Sequence, residues 1–303
     1  MEVVYGHTDS IYVKIPFDDA QPTLDLLNNH VRKHFPNLLG LEEHPVKLEF
    51  EKYYKSLGVG ITKNRNAGLI TWKDGTTLET PEFVMTGFSA KRASITALAK
   101  DIQLEVLNMW VKEKSEHEIS TWLNGKYNDV ISGDIDINML INRSRFRKER
   151  LTYKCISCNK QYTWEEVVDL RIKQDATTNY CSKCGDDLEL VTLGGKRPSI
   201  SSGVEGLIWN NQVNTKLIDD SYYYMRVLDD PTRRAYMNPI TGRYKRPTYV
   251  SSETKEELMT HTPDYKHYAA SVIKKAEPIY KAMGWSTKAI ERDSNQKGLG
   301  EWF

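Results

Sequence analysis

Residues 3–15 read VVYGHTDSIYVKI, and this run determines the fold of the first part of the chain. Both ends of the run are rich in β-branched and aromatic residues, which favour extended strands. The polar segment 6–10 between them has the composition of a tight turn. We therefore predict a hairpin whose two strands are joined by a turn that contains Thr8 and Asp9.

An amphipathic helix and further strands are predicted after this hairpin. Apolar side chains recur at helical spacing between two prolines, at Leu24, Leu27, Val31 and Phe35. The helix should cover one face of a sheet, whose strands are expected at residues 46–54, 57–62, 68–72 and 82–86. Asp74 and Gly75 supply a hairpin turn between the last two strands. Residues 1–92 therefore have the pattern of a β-rich part of an α+β fold.

Helical spacing returns in two later parts of the chain. The first begins near Ser94, the expected N-cap, and its apolar stripe consists of Ile95, Leu98, Ile102, Val106 and Met109. The second ends at Gly284, the expected C-cap, and its stripe consists of Tyr268, Val272, Ile273, Ala276 and Ile279. Residues 194–252 lie between them and are rich in turn residues, tyrosine and arginine. Their poor periodicity predicts no definite structure.

The charge of the chain is balanced overall. The sequence has 42 Lys and Arg residues against 41 Asp and Glu residues, a net charge of +1, so a nucleic-acid surface has to be local. Apolar runs fall far short of the ~20 residues that span a bilayer, and we expect a cytoplasmic protein that does not enter a membrane. One dense basic run, either a solvated face or a nucleic-acid contact, consists of Arg143, Arg145, Arg147, Lys148 and Arg150.

Four cysteines form two close pairs, Cys155 with Cys158 and Cys181 with Cys184. Residues 159–180 separate the pairs, a spacing close to that of zinc ribbons. Four thiolates fill the tetrahedral shell of Zn²⁺ and leave no position open for a substrate, so the predicted role of the ion is structural. Free buried cysteines or redox pairs are the alternatives.

Several segments resemble family B DNA polymerases, in the order in which that family has them. Residues 4–10, VYGHTDS, resemble motif C, which usually reads Tyr-Gly-Asp-Thr-Asp-Ser at the tip of a palm hairpin. Residues 47–51, KLEFE, and 61–69, ITKNRNAGL, are similar to the downstream palm strands and to a basic motif usually written Lys-Lys-Arg-Tyr-Ala-Gly. Residues 86–92, TGFSAKR, resemble the passage from palm to thumb, and 269–284 resemble the final thumb helix. An ordered series is more specific than a single motif.

The resemblance implies phosphoryl transfer with two Mg²⁺ ions, held about 3.5–4 Å apart by carboxylates. Asp9 is then the motif C ligand of Mg²⁺, Thr8 and His7 complete the catalytic turn, and the partner carboxylate belongs to motif A, upstream of the residues present. His7 replaces an aspartate of the family, and hard Mg²⁺ prefers oxygen ligands. Either a neutral His7 keeps a hydrogen bond in an active enzyme, or the chain is a degenerate polymerase retained for binding.

Contacts with primer-template DNA are also implied by the resemblance. Lys63 and Arg65 fall in the basic motif and Arg92 falls in the passage from palm to thumb, where cations neutralise phosphates. Asn66 departs from the tyrosine usual in the family, so the identity of single contacts stays open. In the thumb, the polymerase context favours DNA contact by Arg143, Arg145 and Arg147.

Two acidic residues could serve a further metal. Glu49 or Glu51 lies either near an accessory metal or on a solvated face with ion-pair partners. A nuclease is set aside, because the sequence lacks the additional acidic cluster that we would expect of one.

Residues 296–303, QKGLGEWF, match the clamp-binding pattern Gln-x-x-Leu-x-x-aromatic-aromatic and resemble the tails of archaeal family B polymerases. One tight helical turn brings Leu299, Trp302 and Phe303 to one side as an apolar plug, while Gln296 bonds at the rim of a pocket. The expected partner is a sliding clamp. Packing of the tail on its own domain is the alternative.

The predicted fold class is α+β, with a partial polymerase palm of antiparallel sheet and helix, then a mainly helical thumb with an inserted zinc ribbon. The expected divisions are residues 1–92 for the palm, 93–154 for the first part of the thumb, 155–190 for the ribbon, 191–260 for an insertion of unclear structure, 261–291 for the final thumb helix and 292–303 for the clamp-binding tail.

The resemblance implies the small subunit of a split DNA-directed DNA polymerase. It would use dNTPs only with a large subunit that carries motif A, fingers and exonuclease. An unpaired palm strand edge would make this association obligatory. The alternative is a non-catalytic protein that binds DNA and the clamp.

Overall fold

The computed structural model of the chain describes residues 1–7, 10–42, 44–92, 94–145, 152–174, 180–191, 201–213, 218, 221–238 and 243–290. Within these residues the backbone forms helices and five small antiparallel sheets, so the predicted mixture of α and β structure is confirmed. The chain has two compact units. The first contains Met1–Phe88, Leu104–Thr121 and Ala276–Ala289, and the second contains Ser89–Gln103 and Trp122–Lys275.

The hairpin of the first unit has the predicted form. Strand β1, Glu2–His7, pairs antiparallel with β2, Ser10–Lys14. His7 and Ser10 are the last pair in the register, so residues 8 and 9 are the whole connection between the strands. A connection of two residues is the tightest common hairpin loop.

The predicted helix follows as α1, Ala20–His34. Phe35 after it is extended, as a residue before proline tends to be, and the helix ends there. Of the residues in α1, only Ala20 is buried. The predicted apolar side chains Leu24, Leu27 and Val31 are half-buried and Leu26 is exposed, so the expectation that this helix covers a sheet face is met only in part.

A three-stranded antiparallel sheet forms the core of the first unit. Its strands are β3, Lys52–Val59, β4, Asn66–Lys73, and β5, Thr76–Thr86, in the order β3-β4-β5. The predicted turn at residues 74–75 is confirmed, since it joins β4 to β5 and both of its residues have positive φ. The central strand is the most buried of the three.

Two strand predictions in this sheet are wrong in their bounds. Residues 46–54 and 57–62 were expected as separate strands, whereas β3 is one strand across both, with irregular register near Tyr54. Before β3, the backbone of Leu48 bonds to the side chain of Asn28 in α1 rather than to a neighbouring strand. After β3 the chain turns, and the amide of Gly60 donates to the carbonyl of Arg65 at 2.7 Å.

Two long helices follow the pattern predicted from apolar spacing: α2, Ala97–Val111, and α7, Tyr265–Met283. A third long helix, α3, Glu116–Ser132, was not predicted. The N-cap of α2 is Thr96 rather than Ser94, because the Thr96 hydroxyl accepts from the amide of Ala99 at 3.2 Å. Gly284 ends α7 as expected, with φ of 73°. Among the described residues, no helix combines the length and apolar character needed to cross a membrane.

The cysteine region of the second unit folds around a small sheet in the order β8-β7-β9. Its elements are β7, Thr152–Cys155, β8, Gln161–Tyr162, helix α4, Trp164–Gln174, and β9, Leu188–Val191. The pairing of β7 with both neighbours brings the two cysteine pairs to one end of the sheet.

The segment for which no definite structure was predicted contains regular elements. These are α5, Ser202–Val213, β10, Ser221–Arg226, β11, Tyr236–Asn238, β12, Arg243–Lys245, β13, Tyr249–Ser252, and α6, Lys255–Leu258. Strand β10 lies between β13 and β6, Asn142–Arg145, in one antiparallel sheet. The region expected to be mainly helical therefore also contains a sheet that joins strands from before and after the cysteines.

Helix α5 lies very close to this sheet. A Cβ at Gly206 would be 2.9 Å from the backbone of Val250, and a Cβ at Gly203 would be 2.8 Å from the hydroxyl of Tyr222. Glycine at both positions lets the helix pack against β10 and β13. This packing buries most of α5.

Candidate catalytic turn, cysteine cluster and nucleic-acid contacts

The turn between β1 and β2 is the candidate catalytic site. The structure positions its two ends, since His7 pairs with Ser10. Thr8 and Asp9 lie outside the described residues, as does the side chain of His7. Asp9, the candidate metal ligand, therefore belongs to the two-residue connection between the described strands. Its role as a ligand stays a prediction.

A hydrogen bond joins this hairpin to the loop that carries the basic motif. The Tyr5 hydroxyl donates to Oδ1 of Asn64 at 3.1 Å. Asn64 has φ of 61°, and its carbonyl lies so close to Gly87 that a Cβ there would be 1.8 Å away. The backbone of the loop between Gly60 and Arg65 is therefore fixed from both sides.

The predicted DNA contacts of this loop remain available to a partner. Lys63 is exposed and Arg65 is half-buried, and within the described chain neither forms an ion pair. Arg65 and Lys281 line a cavity of about 250 Å³ in the same unit. Glu277 also lines the cavity and pairs with Lys281 at 2.9 Å, so Arg65 is its cation without an ion pair in the described chain.

Arg92, in the second unit, is exposed, and a half-buried cation, Lys275, lies near it. Nζ of Lys275 donates to Ser89 Oγ at 2.9 Å. Burial, and then the charge of Arg92, lowers the pKa of Lys275. Sequence reasoning missed Lys275, because its hydrogen-bond partner Ser89 lies in a distant part of the chain.

Glu49 and Glu51 each lie beside a lysine of their own segment. Glu49 is 3.9 Å from Lys47, and Glu51 bonds to Lys52. Both carboxylates are largely exposed. Of the two possibilities left open by the sequence, this geometry favours the solvated face with ion-pair partners over an accessory metal site.

The thumb cations Arg143 and Arg145 are both exposed on β6. They stand two residues apart, so their side chains project from the same face of the sheet. Arg147 lies outside the described residues, and so do the predicted clamp contacts Gln296, Leu299, Trp302 and Phe303.

The four cysteines come together as predicted. Their Sγ atoms all lie within 4.8 Å of one another. Cys155 and Cys184 are 3.3 Å apart, and Cys158 and Cys181 are 3.6 Å apart. A Zn–S distance of about 2.3 Å in a tetrahedron requires sulfurs about 3.8 Å apart. The donor set therefore fits one thiophilic ion of this size.

The surroundings of Cys181 favour its thiolate form. Burial opposes ionisation of Cys181, but hydrogen bonds from Tyr162 and from the amides of Lys183 and Cys184 outweigh it and lower its pKa to about 6. The Tyr162 hydroxyl lies 3.0 Å from Cys181 Sγ and accepts from the amide of Ser182 at 3.1 Å. Sequence reasoning missed Tyr162, because this contact depends on the folded pairing of β8 with β7.

The comparisons with known proteins give the family of the chain. The profile of DNA polymerase family B matches residues 1–245. The chain belongs to DNA polymerase family B.

Individual relatives match at low identity. The DNA polymerase delta catalytic subunit of Arabidopsis thaliana is 25% identical over 260 residues, which cover 86% of this chain and 22% of that protein. The DNA polymerase of Archaeoglobus fulgidus is 24% identical over 161 residues, covering 52% of this chain and 18% of that protein. A family B DNA polymerase structure from Pyrobaculum calidifontis aligns with a TM-score of 0.48 and 16% identity, over 98% of this chain and 27% of that one. The chain spans about a quarter or less of these curated relatives.

Proposed function

We propose that the chain is the small subunit of a split family B DNA-directed DNA polymerase and supplies its motif C carboxylate, Asp9. The observation that carries the proposal is the hairpin that presents residues 8 and 9 as the whole link between two paired strands. In this family-matched segment, a short link between two paired strands is the kind of support that a metal-binding carboxylate requires.

The residues of the turn have two proposed tasks, metal binding and support of the turn. Asp9 binds Mg²⁺ together with a motif A carboxylate of the large subunit, while Thr8 and His7 hold the turn in place. Mg²⁺ supplies the charge that stabilises the transferred phosphoryl group of the dNTP. Because Mg²⁺ prefers oxygen ligands, we propose that the carboxylates bind the ion and that a neutral His7 does not.

Uncovered apolar side chains in the first unit support the large subunit as a partner. Val3 and Ile11 of the hairpin are 59% and 48% exposed, Leu26 of α1 is 66% exposed, and Leu38 is 87% exposed. So many exposed apolar side chains in one short segment are typical of a surface that another protein segment covers. The hairpin itself is a two-stranded sheet, which is marginally stable without further packing.

Three further parts of the chain have proposed partners. Primer-template DNA is bound by Lys63, Arg65, Arg92, Arg143, Arg145 and Arg147, whose charges neutralise phosphates. The four cysteines hold a structural Zn²⁺, supported by the spacing of their sulfurs. Residues 296–303 bind a sliding clamp through Gln296, Leu299, Trp302 and Phe303, supported by the spacing of these residues in the sequence.

A catalytically inactive subunit that binds DNA and the clamp is the second candidate. The observation that favours it is His7 in place of the aspartate usual in motif C. In that case the thumb and the tail, rather than Asp9, account for the role of the chain.

Primer extension tests the split enzyme. The chain alone, a candidate large subunit alone and the mixture are each incubated with primed template, dNTPs and Mg²⁺. We expect synthesis from the mixture only. Full synthesis by the large subunit alone, unchanged when this chain is added, would contradict the proposal.

A further inference from the structure

The second unit has a cluster of one aromatic ring and several cations. Tyr223 of β10 stands directly opposite Arg143 of β6 in the sheet register. Cζ of Arg143 lies 6.0 Å from the centroid of the Tyr223 ring, and Nζ of Lys255, on α6, lies 5.7 Å from the same centroid. Arg145 is two residues from Arg143 and lies on the same face. One ring thus gathers cations from two segments that are far apart in the sequence.

The charges of Arg143 and Lys255 in this cluster are not neutralised by an ion pair among the described residues. Of the two acids of α6, Glu257 accepts from the hydroxyl of Ser252, and Glu256 is exposed. A cation over an aromatic face is held there by the negative charge of the ring face, so less side-chain freedom is lost when a ligand binds.

We propose that Arg143, Tyr223 and Lys255 form one phosphate-binding surface for the backbone of duplex DNA. Lys255 and Tyr223 thereby extend the DNA contact of Arg143 and Arg145, and the inference rests on that part of the proposed function. Surfaces for single strands leave aromatic faces open so that bases can stack on them. The Tyr223 ring already holds two cations, so the cluster fits phosphates rather than bases, and its binding is independent of sequence.

Salt-dependent binding tests the role of Lys255. The full chain is titrated into a labelled duplex, and its affinity is measured by anisotropy between about 50 and 300 mM salt. Lys255→Ala should weaken binding about three- to tenfold and reduce the slope of log affinity against log salt by about one. Lys255→Arg should keep both values. Lys126→Ala is the control, because Lys126 is a half-buried lysine paired with Asp129 at 3.4 Å on α3, and it should change neither value.

A matched pair of variants tests the ring. Tyr223→Phe keeps the aromatic face and should bind DNA like the wild type. Tyr223→Leu releases both cations and should weaken binding about two- to fivefold. Thermal unfolding of each variant checks that the fold is intact, and Lys255→Ala tests the same surface with little effect on packing.

The outcomes separate this inference from the function on which it rests. If Arg143→Ala weakens binding while Lys255→Ala and Tyr223→Leu do not, the proposed phosphate-binding surface is wrong. DNA contact by Arg143 in the thumb then stands. If the variants lose affinity for a single strand but not for the duplex, the surface is instead a stacking site and the proposal fails. If the wild-type chain does not bind the duplex even at about 50 mM salt, the DNA-binding part of the proposed function fails as well.

Discussion

At the scale of single residues, Gly87 shows how closely the first unit is packed around the basic loop. Its φ is 75°, and a Cβ would lie 1.8 Å from the carbonyl oxygen of Asn64. Gly87→Ala should lower the free energy of unfolding by about 2–4 kcal/mol, because it combines backbone strain with a clash against backbone. Gly75→Ala is the control, since Gly75 has φ of 86° and no atom within 4 Å of the new Cβ. Urea unfolding measures the loss of unfolding free energy in each variant. Equal losses would contradict the close packing of Gly87 against Asn64.

The bond between Tyr5 and Asn64 is a second prediction at this scale. Tyr5→Phe removes only the hydroxyl, and Asn64→Gly removes the amide while allowing the φ of 61°. The bond is solvent-exposed, so a double-mutant cycle on urea unfolding should give a coupling of about 0.5–1 kcal/mol. Additive losses would mean that the hydroxyl and the amide do not interact.

At the scale of elements, Asp264 stabilises the start of α7 in two ways. It accepts from the amide of His267 at 3.1 Å and from Nε of Arg226 at 2.8 Å. Burial opposes its ionisation, but these hydrogen bonds outweigh the burial and lower its pKa. A lowered pKa in the folded state means that the carboxylate stabilises the fold above its unfolded pKa of about 4. The stabilisation is lost as the pH falls through the folded value.

Asp264→Asn should therefore destabilise the chain by about 1–2 kcal/mol at pH 7, since asparagine caps a helix as well as aspartate but lacks the charge. The difference should shrink as the pH falls below about 4. Urea unfolding of wild type and variant at neutral and acidic pH measures it. A difference that stays constant with pH would show that the charge of Asp264 contributes nothing.

The cysteine sheet offers a test of the proposed Zn²⁺ site. The hydroxyl of Tyr162 supports the Cys181 thiolate, so Tyr162→Phe should weaken Zn²⁺ affinity about tenfold in a chelator competition. Tyr180→Phe, an exposed tyrosine next to Cys181 in sequence, should leave the affinity unchanged. Purified chain without bound Zn²⁺, or variants with identical affinities, would count against this role.

Elements with a regular apolar period could be predicted from the sequence, and elements set by distant contacts could not. The hairpin, α1, α2 and α7 follow from local patterns. Strand β3 was divided in two because its register irregularity breaks the alternation of side chains. The sheet of β6, β10 and β13 was missed, because its strands pair across the whole cysteine region. The cysteine cluster could be predicted because the two cysteines of each pair stand only three residues apart in the sequence.

At the scale of the whole molecule, the chain belongs to DNA polymerase family B and spans about a quarter or less of the relatives compared. Its first unit carries the hairpin and leaves many apolar side chains exposed, which fits a proposed large subunit. Its second unit contains the cysteine cluster and the exposed cations of β6. Catalysis, on this account, requires Asp9 together with the motif A carboxylate of the proposed large subunit.

The rate of single nucleotide addition by the mixture of this chain with the proposed large subunit tests that account most directly. Asp9→Asn keeps the shape of the side chain but removes its charge, so the rate should fall about a thousandfold or more, while the complex still forms. His7→Asp should keep or raise the rate. A rate unchanged by Asp9→Asn would show that the turn is not part of the metal site and that the chain acts by binding alone.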